Sequence, residues 1–313
     1  MTSARPPAGE RAAAREPWHA AEHVLRFPRT LPGGATELRW RGAALMGVVN
    51  VTPDSFSDGG ATYAAEAAVA AGLRLAAEGA LIVDVGGEST RPGAAAVDAD
   101  EELARVLPVV AALAERGVVV SVDTRKPLVA ERALAAGAAL VNDVSGLRDP
   151  RMVAVCAAAG APAVIVHMLG EPATMQQDPR YDDVVADVGA YLAAAAGRAL
   201  DAGVPSVVLD AGIGFGKTVE HNLALLHATP RLAALGHPLL VGASRKSFLG
   251  RLAGVPEPKD RLAATLAAHL HAARRGAALL RVHDVAAHRQ ALAVAAALDG
   301  QEDAPERRGS GRG

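Results

Sequence analysis

Eight times along this chain a short run of β-branched and aliphatic residues stops at a polar side chain, and an alanine-rich stretch of helical length follows. The clearest copy is 80–93, ALIVDVGGESTRPG. Leu81, Ile82 and Val83 are met by a carboxylate, Asp84, and then by a polar loop holding Glu88, Ser89, Thr90, Arg91 and Pro92 between glycines. A short apolar run bounded by Gly and Pro reads as a buried strand. The other seven runs are 44–51, 118–122, 138–141, 163–166, 206–209, 238–241 and 278–282; they surface at Asn50, Asp123, Asn142, His167, Asp210, Lys246 and His283. Helices are expected between them, over 64–78, 98–116, from Pro127, over 150–159 and 184–202, from Glu220, over 260–275 and on to 298.

Eight strand–helix units predict an α/β fold of the TIM (β/α)8 type, which typically takes ~250 residues. The single domain is expected over 37–299. An open doubly wound sheet is the competing layout, but it usually has fewer strands and carries a nucleotide-binding turn after the first one. That turn is missing here. Residues 39–42 read as the start of a hairpin or strand covering the barrel's bottom. Residues 1–36 are rich in Ala, Arg and Pro without an apolar run, and 300–313 are similar in character. Both are expected to be disordered, an arm and a tail. Deleting 1–36 is therefore expected to leave kinetics nearly unchanged.

Composition narrows the function. Lys and Arg number 32 against 34 Asp and Glu, a formal charge of -2. A nucleic-acid protein would usually carry a basic face, so no nucleic-acid partner is expected. No 18-residue apolar span or secretory leader is evident, so no membrane partner is expected either. One cysteine, Cys156, excludes an intrachain disulfide and fits a reducing cytoplasm.

In a barrel of this kind the active site lies at the C-terminal ends of the strands. A lone Asp at a strand end is more often a cap for the next helix than a ligand contact; eight polar ends converging on one mouth reverse that preference. Asp84, Asp123 and Asp210 are acceptors when ionised, Asn142 is donor and acceptor, and Lys246 and Arg281 are donors. The set matches a fused heterocycle with an amino edge and a ring carbonyl. Strand alternation puts Arg281 and His283 on the same side, with Arg91 on a loop above. That is an anion site suited to phosphate; pairing of Arg281 with a neighbouring carboxylate is the alternative. AGIGFGKT, 211–218, imitates a phosphate-binding loop, but that motif needs glycine where Ala211 stands. No His/Cys cluster has zinc spacing. A Mg²⁺ ion bridging Asn50 and substrate phosphates is compatible, since Mg²⁺ commonly takes few protein ligands.

The motifs MGVVNVTPDSFSDGG, VDVGGESTRPG, SVDTRKP, NDVSG, VHMLGEPATMQ, LDAGIGFGK, VGASRKSFLG and RVHDV follow one another over 44–284. In content and order they resemble the dihydropteroate synthases. That resemblance implies a TIM-barrel transferase of folate biosynthesis, a target of sulfonamides. It would join 6-hydroxymethyl-7,8-dihydropterin pyrophosphate to para-aminobenzoate, giving 7,8-dihydropteroate and pyrophosphate by an SN1-like step. It also implies Mg²⁺ as cofactor, small-molecule partners and a homodimer. Carried over residue by residue, Asp123, Asn142, Asp210, Lys246, Arg281, Met168 and Phe215 would hold the pterin. Asn50, Thr90, Arg91, Arg281 and His283 would hold the pyrophosphate, with Asn50 on the metal. Phe56, Arg91, Pro92, Phe215 and Ser247 would form the para-aminobenzoate site, and Asp84, Asp123, Lys246 and Arg281 the catalytic group. Loops 54–56 and 90–92 would close after the pterin binds. The chain departs from the family at Ala211, where a proline is common. Two alternatives stay open: a catalytically impaired pterin-binding paralogue, and a pterin-dependent methyltransferase, which has no need of GESTRPG or SRKS.

Overall fold

The computed structural model describes residues 17–28, 30–31, 34–52, 60–89, 97–172 and 174–302. The eight apolar runs become β3 (Ala44–Asn50), β4 (Ile82–Gly86), β5 (Val120–Asp123), β6 (Leu140–Asp143), β7 (Ala163–Val166), β8 (Val207–Asp210), β9 (Leu239–Val241) and β10 (Leu279–Val282). They pair in parallel and close on themselves, β10 lying beside β3 and β9. The TIM barrel expected from the repeat is thus the fold.

Around it run α1 (Gly60–Glu78), α2 (Ala99–Glu115), α3 (Pro127–Ala135), α4 (Pro150–Ala159), α5 (Val184–Asp201), α6 (Val219–His227), α7 (Thr229–Ala233), α8 (Ser247–Ala253), α9 (Leu262–Arg274) and α10 (Val285–Glu302). Helix starts are chemically marked. Asp98, Asp149 and Asp183 each accept a backbone N–H from the first turn that follows, satisfying donors that have no intrahelical partner. Pro127 and Pro150 stand at first helical positions, where the missing N–H costs nothing. The last helix runs to Glu302, beyond the expected boundary at 299. The short α7 was not foreseen, whereas α8 is the helix expected to start at Ser247.

Alternation sorts each strand. Leu45, Val49, Val83, Val85, Val122, Val141 and Ile165 pack outward under the helices. Met46, Ile82, Leu140, Val164, Val208, Leu240 and Leu279 point inward and fill the lower barrel. The polar groups sit above them, toward the strands' C-terminal ends.

The structure corrects the expected arm. Residues 1–16 lie outside the described residues, but from Pro17 the chain is built into the fold. β1 (Glu22–Arg26) pairs antiparallel with β2 (Glu37–Arg41). Leu25, Phe27 and Leu31 are buried together with Met46, Ile82 and Leu279, so this hairpin closes the bottom of the barrel. Trp40 Nε1 donates to Ala278 O at 2.8 Å, and Trp18 Nε1 to Asp299 Oδ2 at 2.7 Å. The expected bottom cover near 39–42 is its second strand. Among the described residues, the buried apolar side chains of its first half are Leu25, Phe27 and Leu31, too few to register as an apolar run.

Candidate active site

The floor of the mouth is an ion cluster. Arg281, third residue of β10, donates from Nε to Asp84 Oδ2 and from Nη2 to Asp123 Oδ2, both at 2.7 Å. Asn142 Nδ2 donates to the same Asp84 oxygen at 2.9 Å. The pairing of Arg281 with carboxylates, weighed above as the alternative to an anion site, is therefore real. Nη1 has no partner among the described residues. Asp123 sits in register between Gly86 and Asn142, and a Cβ on Gly86 would come 3.3 Å from that of Asp123. Gly86 thus makes room for the carboxylate.

Asp84 is not at a strand end. β4 continues through it to Gly86, and the side chain is fully buried inside the barrel. Its inward aim and its guanidinium partner let the carboxylate stand mid-strand. His167 is a second correction. Val164 and Val166 point inward, so His167 points out, stacking edge-on against Tyr191 with centroids 5.1 Å apart. Its Nδ1 lies 3.0 Å from Lys217 Nζ. Lys217 also donates to His167 O at 3.3 Å and Phe215 O at 2.9 Å. This lysine pins the 211–217 turn and is not aimed at a phosphate. Met168, next in sequence, is the buried inward residue.

Asp210 ends β8 and accepts from Gly212 N at 2.7 Å. Gly212 has φ +66°, and a Cβ there would lie 1.8 Å from His167 O, so only glycine fits. Lys246 enters from the turn after β9, its Nζ 3.8 Å from the Phe215 ring centre, a cation–π distance. Gly214 (φ +83°) leaves space for it; a Cβ would meet Lys246 Cδ at 3.0 Å. Asn50 is half-buried at the end of β3, and Ser247 is exposed at the first residue of α8. His283 Nδ1 is 2.9 Å from Ser244 Oγ. Phe56, Thr90, Arg91 and Pro92 lie outside the described residues.

Burial sets the charges. It pushes the Asp123 carboxyl up to about 7, against the pull of Arg281 and with help from Asp84. Asp210 is also raised by burial, opposed by its bond from Gly212. Burial and the Arg281 charge bring Lys246 down to about 8. Burial works against the charge on Arg281, but Asp84 and Asp123 outweigh it and keep the guanidinium protonated. His283 is lowered to about 3 by burial and by Arg245 and Arg281, so it is a neutral hydrogen-bonding group at pH 7. Asp84 Oδ1, Asn142 Oδ1 and Ser121 Oγ are buried without a partner among the described residues. Buried acceptors in this state are disfavoured unless a donor arrives.

A supporting layer was not read from the sequence. Glu88 accepts from Arg125 Nη2 at 3.1 Å and from Lys126, which also bonds buried Glu102. Arg125 Nη1 reaches Glu171 at 2.9 Å. Three loops of the mouth are thereby tied together. The basic pair in SVDTRKP was the available signal.

A family profile described as pterin binding enzyme matches residues 46–283. The dihydropteroate synthase of Mycobacterium leprae is 50% identical over 262 residues, covering 81% of this chain and 92% of that protein. The chain belongs to the dihydropteroate synthase family. Two solved members agree in fold. The Thermus thermophilus enzyme in complex with 4-aminobenzoate is 52% identical with a TM-score of 0.76, over 83% of this chain and 97% of that one. The Xanthomonas albilineans enzyme in complex with 7,8-dihydropteroate is 46% identical with a TM-score of 0.75, over 84% and 95%. A dihydropteroate synthase is a transferase, as the motifs implied.

Proposed function

We propose that this mouth joins 6-hydroxymethyl-7,8-dihydropterin pyrophosphate to para-aminobenzoate, releasing 7,8-dihydropteroate and pyrophosphate. The observation that carries the reading is the set of buried oxygens in and beside the Asp84–Arg281–Asp123 cluster, Asp84 Oδ1, Asn142 Oδ1 and Ser121 Oγ, that lack a partner among the described residues. Each such orphan costs about 1–3 kcal/mol, and a ligand edge rich in N–H groups offsets that.

In this reading Asp210 accepts from the pterin amino group and ring N–H. Asn142 and Asp123 meet the far side of the ring, Lys246 donates to its carbonyl, and Met168 and Phe215 give apolar walls. Arg281, through its unpaired Nη1, and His283 face the pyrophosphate, with Thr90 and Arg91. The bond between the pterin methylene carbon and the pyrophosphate oxygen breaks, and its electron pair leaves with the pyrophosphate. The buried carboxylates, Asp123 above all, stabilise the resulting cation electrostatically. The amine of para-aminobenzoate then donates its lone pair to the methylene, and its surplus proton passes to solvent or to the leaving group. Phe56, Pro92 and Phe215 flank its ring, and the backbone N–H at Ser247 takes its carboxylate, the same pocket a sulfonamide would occupy.

Mg²⁺ fits the donors present. Among the described residues no group of three or more His, Cys, Asp or Glu forms a metal cage. Asn50 offers a single half-buried amide oxygen at the rim, and Mg²⁺ is commonly held by one or two protein oxygens with substrate phosphates and water. The ion would neutralise charge on the departing pyrophosphate.

We further propose a cytoplasmic homodimer. The support is an apolar groove of about 510 Å³ between α6, α8 and α9, with Leu223 44% and Leu252 54% exposed on its edges. No described helix is long and apolar enough to cross a membrane, and the lone Cys156 is buried.

The test is turnover of purified protein with both substrates, with and without Mg²⁺, following dihydropteroate and pyrophosphate together. Equal, Mg²⁺-dependent formation of both supports the reading. Pterin binding without either product would make the chain an impaired paralogue.

A further inference from the structure

Lys246 reaches the mouth from the turn 243–246, whose backbone is strained. Arg245 has φ +59°, a region non-glycine residues adopt at a cost of about 1–3 kcal/mol unless their surroundings over-determine it. Helices α9 and α10 supply those surroundings. Arg245 N donates to Thr265 Oγ1 at 3.1 Å, and Arg245 O accepts from Arg261 Nη1 at 2.8 Å. The Arg245 guanidinium grips Asp284 at 2.6 and 3.1 Å. Asp284 directly follows His283 at the end of β10.

A second path joins the same two strand ends through side chains that the site does not use. Ala243 N donates to His269 Nε2 at 3.0 Å. His269 Nδ1 lies 2.8 Å from His288 Nε2, and His288 Nδ1 lies 2.7 Å from Asp284 O. The two ends fix every proton. An amide N–H only donates, so His269 Nε2 accepts and its proton is on Nδ1. That proton goes to His288 Nε2, leaving the second ring's proton on Nδ1 for a carbonyl that only accepts. Both rings are buried, each 1% exposed. With Arg245–Asp284 the bonds close a circuit from Ala243 through His269, His288, Asp284 and Arg245 back to the turn.

We propose that His269 and His288 form a neutral relay that positions the Lys246 turn against the strand end carrying Arg281 and His283. They are positioning residues, since neither reaches the mouth. A proton added to either ring would set two N–H groups face to face and open the circuit. Around the pair stand His283 and Asp284 after β10, Arg245 on the turn, Arg261 before α9 and Thr265 on it, and Glu78 of α1, which accepts from Ala286 N. Burial holds both rings below their ordinary values, and the neighbouring histidines add to that for His269, while Asp284 opposes it for His288.

The relay itself stands apart from the catalytic reading; its consequence for pterin binding rests on that reading. Two measurements separate them. Nitrogen NMR of the full-length protein labelled at histidine is expected to show both rings neutral with Nδ1 protonated at pH 7. An Nε2-protonated ring at either position, or a charged one, overturns the relay. Calorimetric binding of 6-hydroxymethyl-7,8-dihydropterin then reads positioning. His269→Leu, which strands the Ala243 N–H, is expected to weaken binding about tenfold. His269→Gln, whose Oε1 can take that N–H without titrating, is expected to restore it to about twofold of wild type. Thermal melts check that each variant is folded. A folded His269→Leu that binds pterin like wild type overturns the positioning role. Absent binding in wild type would count against the synthase reading and leave the NMR result to decide the relay.

Discussion

Arg281→Met removes the guanidinium that bonds Asp84 and Asp123 at 2.7 Å each. Deleting one partner of a buried ion pair costs about 3–5 kcal/mol, because the remaining charge is stranded. Here a proton can take the guanidinium's place. The Asp123 carboxyl already stands at about 7, raised by burial, with Arg281 holding it down. The variant raises it further. A carboxyl whose folded pKa exceeds its unfolded one binds more protons in the native state between the two values. Stability therefore falls as pH rises across that window. In wild type the fall is spent near pH 7; in the variant it continues above. One further pH unit is worth about 1.4 kcal/mol. The expected result in urea denaturation is a loss of about 3–5 kcal/mol at pH 8, and a loss smaller by about 1–1.5 kcal/mol at pH 5.5. Turnover at pH 8 is expected to drop on the order of 10²-fold. Equal destabilisation at both pH values would refute the reasoning, since Asp123 would then not be the group that Arg281 keeps ionised.

Three other outcomes follow from the structure. Gly212→Ala is expected to abolish pterin binding and lower the melting temperature, because its Cβ would overlap His167 O at 1.8 Å; a wild-type melt and affinity would contradict the φ +66° turn. Deleting 1–16 is expected to leave stability and kinetics unchanged, whereas deleting 1–36 strips Leu25, Phe27 and Leu31 from the barrel's bottom, at about 1.5–3 kcal/mol per side chain, and should leave little folded protein in a denaturant titration. Leu252→Glu is expected to shift the light-scattering mass from dimer to monomer of 31.8 kDa, since it charges the apolar groove edge; an unchanged dimer would place the interface elsewhere.

How much of this was legible in the sequence depends on the periodicity involved. The barrel was, because eight apolar runs alternating with alanine-rich stretches leave few other topologies. Most of the rim was too, since Asp123, Asn142 and Asp210 end their strands in the structure or one residue before the end. Of the hairpin at 22–41, only the end of its second strand near 39–42 was. Its strands are five residues long and bury few side chains, so they fall below what a window for apolar runs detects. Nor was the support behind the site. Arg245, the α9 residues Thr265 and His269, and His288 come from three separate stretches of the chain, and only folding brings them to one turn.

The two misplaced residues share a cause that sharpens the functional reading. Asp84 and His167 were both taken as rim groups because each follows an apolar run. What decides a barrel residue's role is its parity and its depth. Val166 pairs in register with Asp210 and Val164 with Asn142, so inward positions on β7 are even-numbered and His167 must face the helices. Asp84 has inward parity but lies two residues deeper than Gly86, the partner of Asp123. From that position its carboxylate bonds both Arg281 and Asn142 inside the barrel. Asp84 therefore does for Arg281 what the 243–246 turn contacts do for Lys246: it fixes a cation before any ligand arrives. Among the described residues, Arg281 and Lys246 are thus each held by fixed partners, and a mouth built in this way is preorganised for developing negative charge, which is what the loss of pyrophosphate requires.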